Sequence, residues 1–411
     1  MTGSPEHIRF GHRRRVVLIS LLVGILTAVA ALLFFLAVEG LSLLLQGTVM
    51  GITHPVAAGE QLPPLRLSVP GSGRIWILIL PPVGAALGAL LLKWKGGQPR
   101  AHAIDATIGA FHKVWGKIPL GVPASRAVAA ILTIGAGGSA GRIGPTAHLG
   151  AGIGSRVADA FRVPAREKRI LALAGCAAGI GAICRAPLGG ALVAVEILYK
   201  DDFETSAVVP CVVSSTTAYS LFMWLLALPV MGAHAFTIHR FPALSFVRPQ
   251  HLLEYGALAL LCAGAARLFI AAFTGSRSAF RRFLRSPVRR CLAGGVAVGV
   301  IGFFAPGILG GGLGYIQQAL DTPLAGLSVP QTWQYAGAFL MLAVLKMAAT
   351  SLTLGSGASG GVFGPALLIG GLLGAAFACA LYALLPGADL PPLAGFVSIG
   401  TACFFAAAAR R

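Results

Sequence analysis

Two short segments of this sequence hold residue types suited to binding a charged solute. They are Ser139-Ala140-Gly141-Arg142-Ile143-Gly144-Pro145 and Gly360-Gly361-Val362-Phe363-Gly364-Pro365. In each, a flexible glycine run ends at Gly-Pro, where a helix is expected to begin. Proline suits the first helical turn because its missing N–H would be unpaired there anyway. The neighbouring N–H groups have no helical acceptor, and the helix dipole adds partial positive charge. Two such starts meeting near mid-membrane would form an anion site from main-chain amides, without a basic side chain. One terminus offers an anion about 0.3–2 kcal/mol. A bare charge in hydrocarbon costs on the order of tens of kcal/mol, so several amides must act together. Such a site stabilises an anion enough to let it in, yet weakly enough to let it out.

The two segments belong to an internal repeat. Arg126–Gly154 lies over Lys346–Gly374 at a shift of 220 residues without a gap, with 11 of 29 positions identical and Arg126/Lys346 conserving charge. Paired hydrophobic segments broken by Gly and Pro in the two halves of a chain point to a transporter's binding site. Gly150–Gly154 and Gly370–Gly374 read differently, as small-residue stripes for close helix packing.

Composition says what must position these segments. Of 411 residues 56% are hydrophobic and 11% charged, with a mean hydropathy of +0.82. Soluble domains have about a quarter of their residues charged, so a water-soluble enzyme, a disordered tail and a secreted disulfide scaffold are excluded. The expectation is an all-α, polytopic membrane protein. Its net charge of +19 sits in short loops, as positive-inside retention requires, and calls for no nucleic acid. The seven cysteines, none at metal-site spacing, read as small buried hydrophobes.

Along the chain, Arg9, Arg13, Arg14 and Arg15 precede a first span at Val16–Val38 and place the N-terminus in the cytoplasm. Thr48–Arg74, rich in Pro and Gly, reads as an outside loop, and Ile75–Leu92 returns to a basic segment. Further apolar stretches fall at about 122–140, 143–161, 169–184, 186–199, 205–232, 252–273, 291–306, 332–352, 361–386 and 391–409. Several are shorter than the ~20 residues a crossing helix needs. Broken helices are tolerated in a membrane where their backbone is buried in protein or lines a polar cavity. The linker with Arg277, Arg281, Arg282, Arg285, Arg289 and Arg290 reads as a cytoplasmic topology signal or as a contact for anionic lipid. The expected organisation is a basic cytoplasmic N-terminus at 1–15, a first membrane half at 16–235 with the first motif, and a second half at 236–411 with the second.

These residues resemble the CLC family of chloride channels and chloride/proton exchangers. Gly141-Arg142-Ile143-Gly144-Pro145 is similar to the family's G(K/R)EGP motif, and Gly361-Val362-Phe363-Gly364-Pro365 to its GxFxP motif. Ala182–Glu196 and the glycine run Gly310–Gly314 resemble further family segments. The resemblance implies a CLC-type fold of inverted repeats with broken, tilted helices, a homodimer in the cell membrane, and one anion pathway per subunit. It assigns the central anion to backbone amides at Arg142, Ile143, Gly144, Val362 and Phe363. It implies no cofactor and no metal, chloride being the transported ligand.

Departures from the family pattern bear on mechanism. Ile143 stands where the family has a glutamate that competes with chloride and takes up a proton, so this gate position is aliphatic. Glu196 resembles the first of a pair of acids, the second being Ile197. Exchange needs ionisable groups within the membrane, so the expectation is passive, proton-uncoupled anion flow. Glu196 is either a proton-path acid or a group capping its helix end beside Tyr199 and Lys200. Ala101-His102-Ala103-Ile104-Asp105 replaces a glycine-rich ligand motif; His102 is an anion donor or a plain interfacial histidine. His148 reads as a packed or hydrogen-bonded residue. The C-terminus, Phe404–Arg411, stops where the resemblance implies further helices, one bearing a tyrosine ligand. The rivals are an exchanger relying on Glu196, and a truncated, non-conducting subunit. An enzyme is not expected, since no nucleophile–base pair, HExxH or phosphate loop occurs.

Overall fold

The structure, a computed structural model, describes residues 5–52, 54–55, 73–94, 103–196, 205–228, 248–322 and 328–409. Fourteen α-helices form among these residues, and no β-structure beyond one two-residue bridge. The first half comprises α1 (Pro5–Ser42), α2 (Trp76–Trp94), α3 (Ala103–Lys113), α4 (Gly121–Gly135), α5 (Ile143–Ala160), α6 (Ala165–Cys184), α7 (Pro187–Glu196) and α8 (Val208–Leu226). The second comprises α9 (His251–Phe283), α10 (Pro287–Phe304), α11 (Gly314–Leu320), α12 (Val329–Gly355), α13 (Phe363–Leu384) and α14 (Leu393–Ala409). Seven of the described segments are long and apolar enough to cross a membrane, and α4, α7 and α14 are shorter apolar helices.

The apolar stretches read from the sequence correspond to these helices, with differences at the ends. The first helix is already formed at Pro5, ahead of the arginine cluster, and continues past Ser42 as a π-helical stretch, Leu43–Val49. The segment expected to be a loop from Thr48 is therefore still helical at Thr48 and Val49. The short α3 and α11 had no apolar signal of their own.

Each half has its own core. In the first, buried residues of α1, α5, α6 and α8 meet around Val23, Leu171, Ala177 and Phe222. In the second, α9, α12, α13 and α14 meet around Phe269, Leu372, Phe396 and Phe404. The glycine stripes do the packing expected of them. A Cβ on Gly154 would lie 2.0 Å from Leu171 O, and one on Gly374 would lie 2.2 Å from Phe396 O. Only a residue without a side chain lets α5 reach α6, and α13 reach α14, so closely. The halves also interlock, because Gly295 of α10 lies against the backbone of Pro82 in α2, with 2.4 Å from its would-be Cβ to Pro82 Cα. Leu252, Leu253, Leu260 and Leu268 of α9 remain exposed, as suits a surface facing lipid.

Candidate functional site

The repeat is a repeat in three dimensions. Gly137 and Gly357 both adopt the left-handed backbone, φ 99° and 97°, a conformation that glycine accepts at no steric cost. Gly137 N–H donates to Ile134 O and Gly357 N–H to Leu354 O, both at 3.0 Å. Thr133 and Thr353 each hold the carbonyl four residues back, at 2.9 Å. The turn chemistry after α4 and after α12 is thus the same, and each turn leads into a new helix, α5 or α13.

Those two helix starts meet. Gly141 N–H donates to Gly361 O and Gly361 N–H to Gly141 O, both at 2.7 Å, forming the antiparallel bridge. The approach leaves no room for side chains. A Cβ on Gly141 would sit 2.8 Å from Gly364 N, and one on Gly361 would sit 2.8 Å from Gly144 N. The motif serines extend the exchange between halves. Ser139 Oγ lies 2.9 Å from Thr350 Oγ1, and Ser359 Oγ donates to Arg126 O at 2.9 Å.

Helix α5 begins at Ile143 and α13 at Phe363, with Pro145 and Pro365 in their first turns. Thr146 N–H is the first amide of α5 to reach back, to Arg142 O, and Ala366 N–H is its counterpart in α13, bonding Val362 O. The amides of Ile143, Gly144, Phe363 and Gly364 precede those bonds, at the positive ends of two dipoles. Phe363 packs against the first-half core that contains Ile143, itself 4% exposed, and its ring lies 4.6 Å from that of Phe405. The bridge brings the two helix starts together.

Around them lie groups of other kinds. Lys346, fully buried, donates from Nζ to Ile308 O and Gly310 O, each at 2.8 Å, and so holds the glycine loop before α11. Gln46, on the π-helical stretch, donates to Ile134 O and Gly135 O and lies 3.0 Å from His54 Nε2. His148 is buried with Nδ1 2.8 Å from Thr107 Oγ1, the hydrogen-bonded reading made from sequence. The Arg142 guanidinium meets the Glu39 carboxylate at 2.5 Å and lies over the Phe35 ring. Glu39 was missed in the sequence; its signal was an acid inside a long apolar run, which points to function by default.

Other expected residues lie elsewhere. Glu196 is exposed as the last residue of α7, on one outward stripe with Leu188 and Leu192. His102 and Ile197 lie outside the described residues; α3 begins at Ala103, directly after His102.

This arrangement defines a class: a polytopic helical membrane protein in which two repeat-related helix starts abut. The description "Voltage gated chloride channel" matches residues 83–411, and the chain belongs to that family, the CLC family. It is 30% identical over 91% of its length to the voltage-gated ClC-type chloride channel ClcB of Salmonella typhimurium, covering 83% of that protein. It is 32% identical to the ClcB of Citrobacter koseri, over 76% of this chain and 71% of that protein. Among solved structures, a CLC-type fluoride/proton antiporter superposes with a TM-score of 0.75 at 22% identity, covering 100% of this chain and 89% of the other. A slow cyanobacterial Cl-/H+ antiporter gives 0.71 at 19% identity, over 96% and 94%. At those identities the likeness speaks for the fold. Family membership makes CLC-type anion transport the class of activity.

Proposed function

We propose that this chain lets chloride or similar monovalent anions flow down their gradient, uncoupled from protons. The observation that carries this reading is the abutment of the two helix starts with Ile143 at one of them. Amides of Ile143, Gly144 and Phe363, together with those of Arg142 and Val362, would hold a dehydrated anion between opposed dipoles. Ile143 has neither charge to mimic the anion nor a proton to deliver. The ClcB relatives are described as channels, which agrees with passive flow. The functional unit is a homodimer in the cell membrane with the N-terminus cytoplasmic, each subunit built from the halves 16–235 and 236–411.

A second reading is anion/proton exchange using Glu196, favoured by the antiporters among the structural relatives. Reversal potentials in a fixed chloride gradient at two pH values decide between them. A pH-independent potential is expected, and a shift with the proton gradient would overturn uncoupled flow. Efflux no greater than from empty liposomes would overturn transport by this chain altogether.

A further inference from the structure

Acids are scarce in this chain, 13 in 411 residues, and Glu39 is the one that stands within the apolar run of α1, Arg14–Val49. Glu39 follows Phe35 by one turn of α1, so both side chains fall on one face. Both touch Arg142 of the first motif: the carboxylate at 2.5 Å, the ring centroid at 5.1 Å. The Arg142 and Glu39 side chains keep 12% and 22% exposure, so the pair is lined by protein but not sealed. From Arg14 to Glu39 is 39 − 14 = 25 residues, roughly 37 Å of helix against ~30 Å of hydrocarbon. The pair therefore lies near the membrane face opposite the arginine cluster of α1.

A guanidinium beside a helix start strengthens the field that draws anions there, and a carboxylate touching it cancels most of that field. We propose that Glu39 sets the pathway's affinity for anions: by neutralising Arg142 it weakens anion capture at the first helix start from that face. This restraint is separate from the gate position, where Ile143 carries no charge. The inference rests on the anion-pathway reading above.

The test is the chloride dependence of flux through the full chain in liposomes, for wild type, Glu39→Gln, Arg142→Gln and the double variant. If Glu39 acts through charge, Glu39→Gln raises apparent chloride affinity by about three- to tenfold and Arg142→Gln lowers it. The double variant returns toward wild type, and all these differences shrink in impermeant salt. A pair that only pins α1 to α5 would give both single variants the same loss, which overturns the proposal, as does unchanged affinity in Glu39→Gln. Glu39→Asp keeps the charge but draws it back, so a smaller rise is expected, and no rise overturns the idea even if Glu39→Gln does not fold. Wild-type protein that carries no chloride overturns the pathway reading, and this inference with it. Transport by wild type together with the wrong variant signs overturns this inference alone.

Discussion

Replacing Gly141 by alanine tests the helix-start site most directly. The new methyl group would lie 2.8 Å from Gly364 N and 2.9 Å from Pro365 Cδ. Both atoms belong to the opposite helix start, so no flexible side chain can yield, and the motifs must separate by half an ångström or more. The separation strains the two 2.7 Å bonds of the bridge. Losing both costs about 1–3 kcal/mol at the usual net value of a hydrogen bond. Overpacking adds about 1–3 kcal/mol. If the amides converge on an anion, each 1.4 kcal/mol of lost binding weakens it tenfold, so chloride efflux should fall by about tenfold or more. Gly361→Ala, with its Cβ 2.8 Å from Gly144 N, should behave as its twin. Gly256→Ala is the control: it lies in α9 with nothing within 4 Å of its Cβ, and alanine there should be neutral or stabilising by up to about 1 kcal/mol. The assay is efflux from liposomes with equal amounts of folded protein, paired with thermal unfolding in detergent. Wild-type flux and wild-type stability in Gly141→Ala would refute the reasoning.

Three further outcomes are expected. Gly154→Ala, whose methyl group would meet Leu171 O at 2.0 Å, should lower the unfolding temperature more than Gly264→Ala, where the space is open; equal temperatures would contradict the packing. Lys346→Met leaves the carbonyls of Ile308 and Gly310 without their donor, so deuterium uptake at Gly310–Gly314 should rise, and unchanged uptake would show that the lysine does not hold this loop. Burial first, then the Lys346 charge, push the His54 imidazole, in the loop after the first span, down to about 4. The unfolded chain takes up this proton below about pH 6.5, the folded chain only near 4. Stability is therefore level above pH 6.5 and falls with acid between those values, by up to about 3 kcal/mol. His54→Gln should flatten that part of the stability–pH curve, and an unaltered curve would count against a buried His54.

The membrane class, the apolar helices and the place of the two motifs were legible in the sequence, since each rests on local composition. Twenty apolar residues have nowhere to go but lipid or a core, and a proline after a glycine run suits the first turn of a helix. The repeat was legible as well, because Arg126–Gly154 and Lys346–Gly374 face the same steric demands and retain the same glycines. The short α3 and α11 left no apolar signal, nor did the π-helical turns at Leu43–Val49, from which Gln46 reaches the last two carbonyls of α4. What the tertiary structure alone decided is contact between positions far apart in the chain. It put Gly141 on Gly361, Lys346 on the Ile308–Gly310 loop, and Glu39 on Arg142. Such pairings are set by how two cores interlock, and residue type and spacing carry no record of which distant carbonyl or charge a side chain will meet.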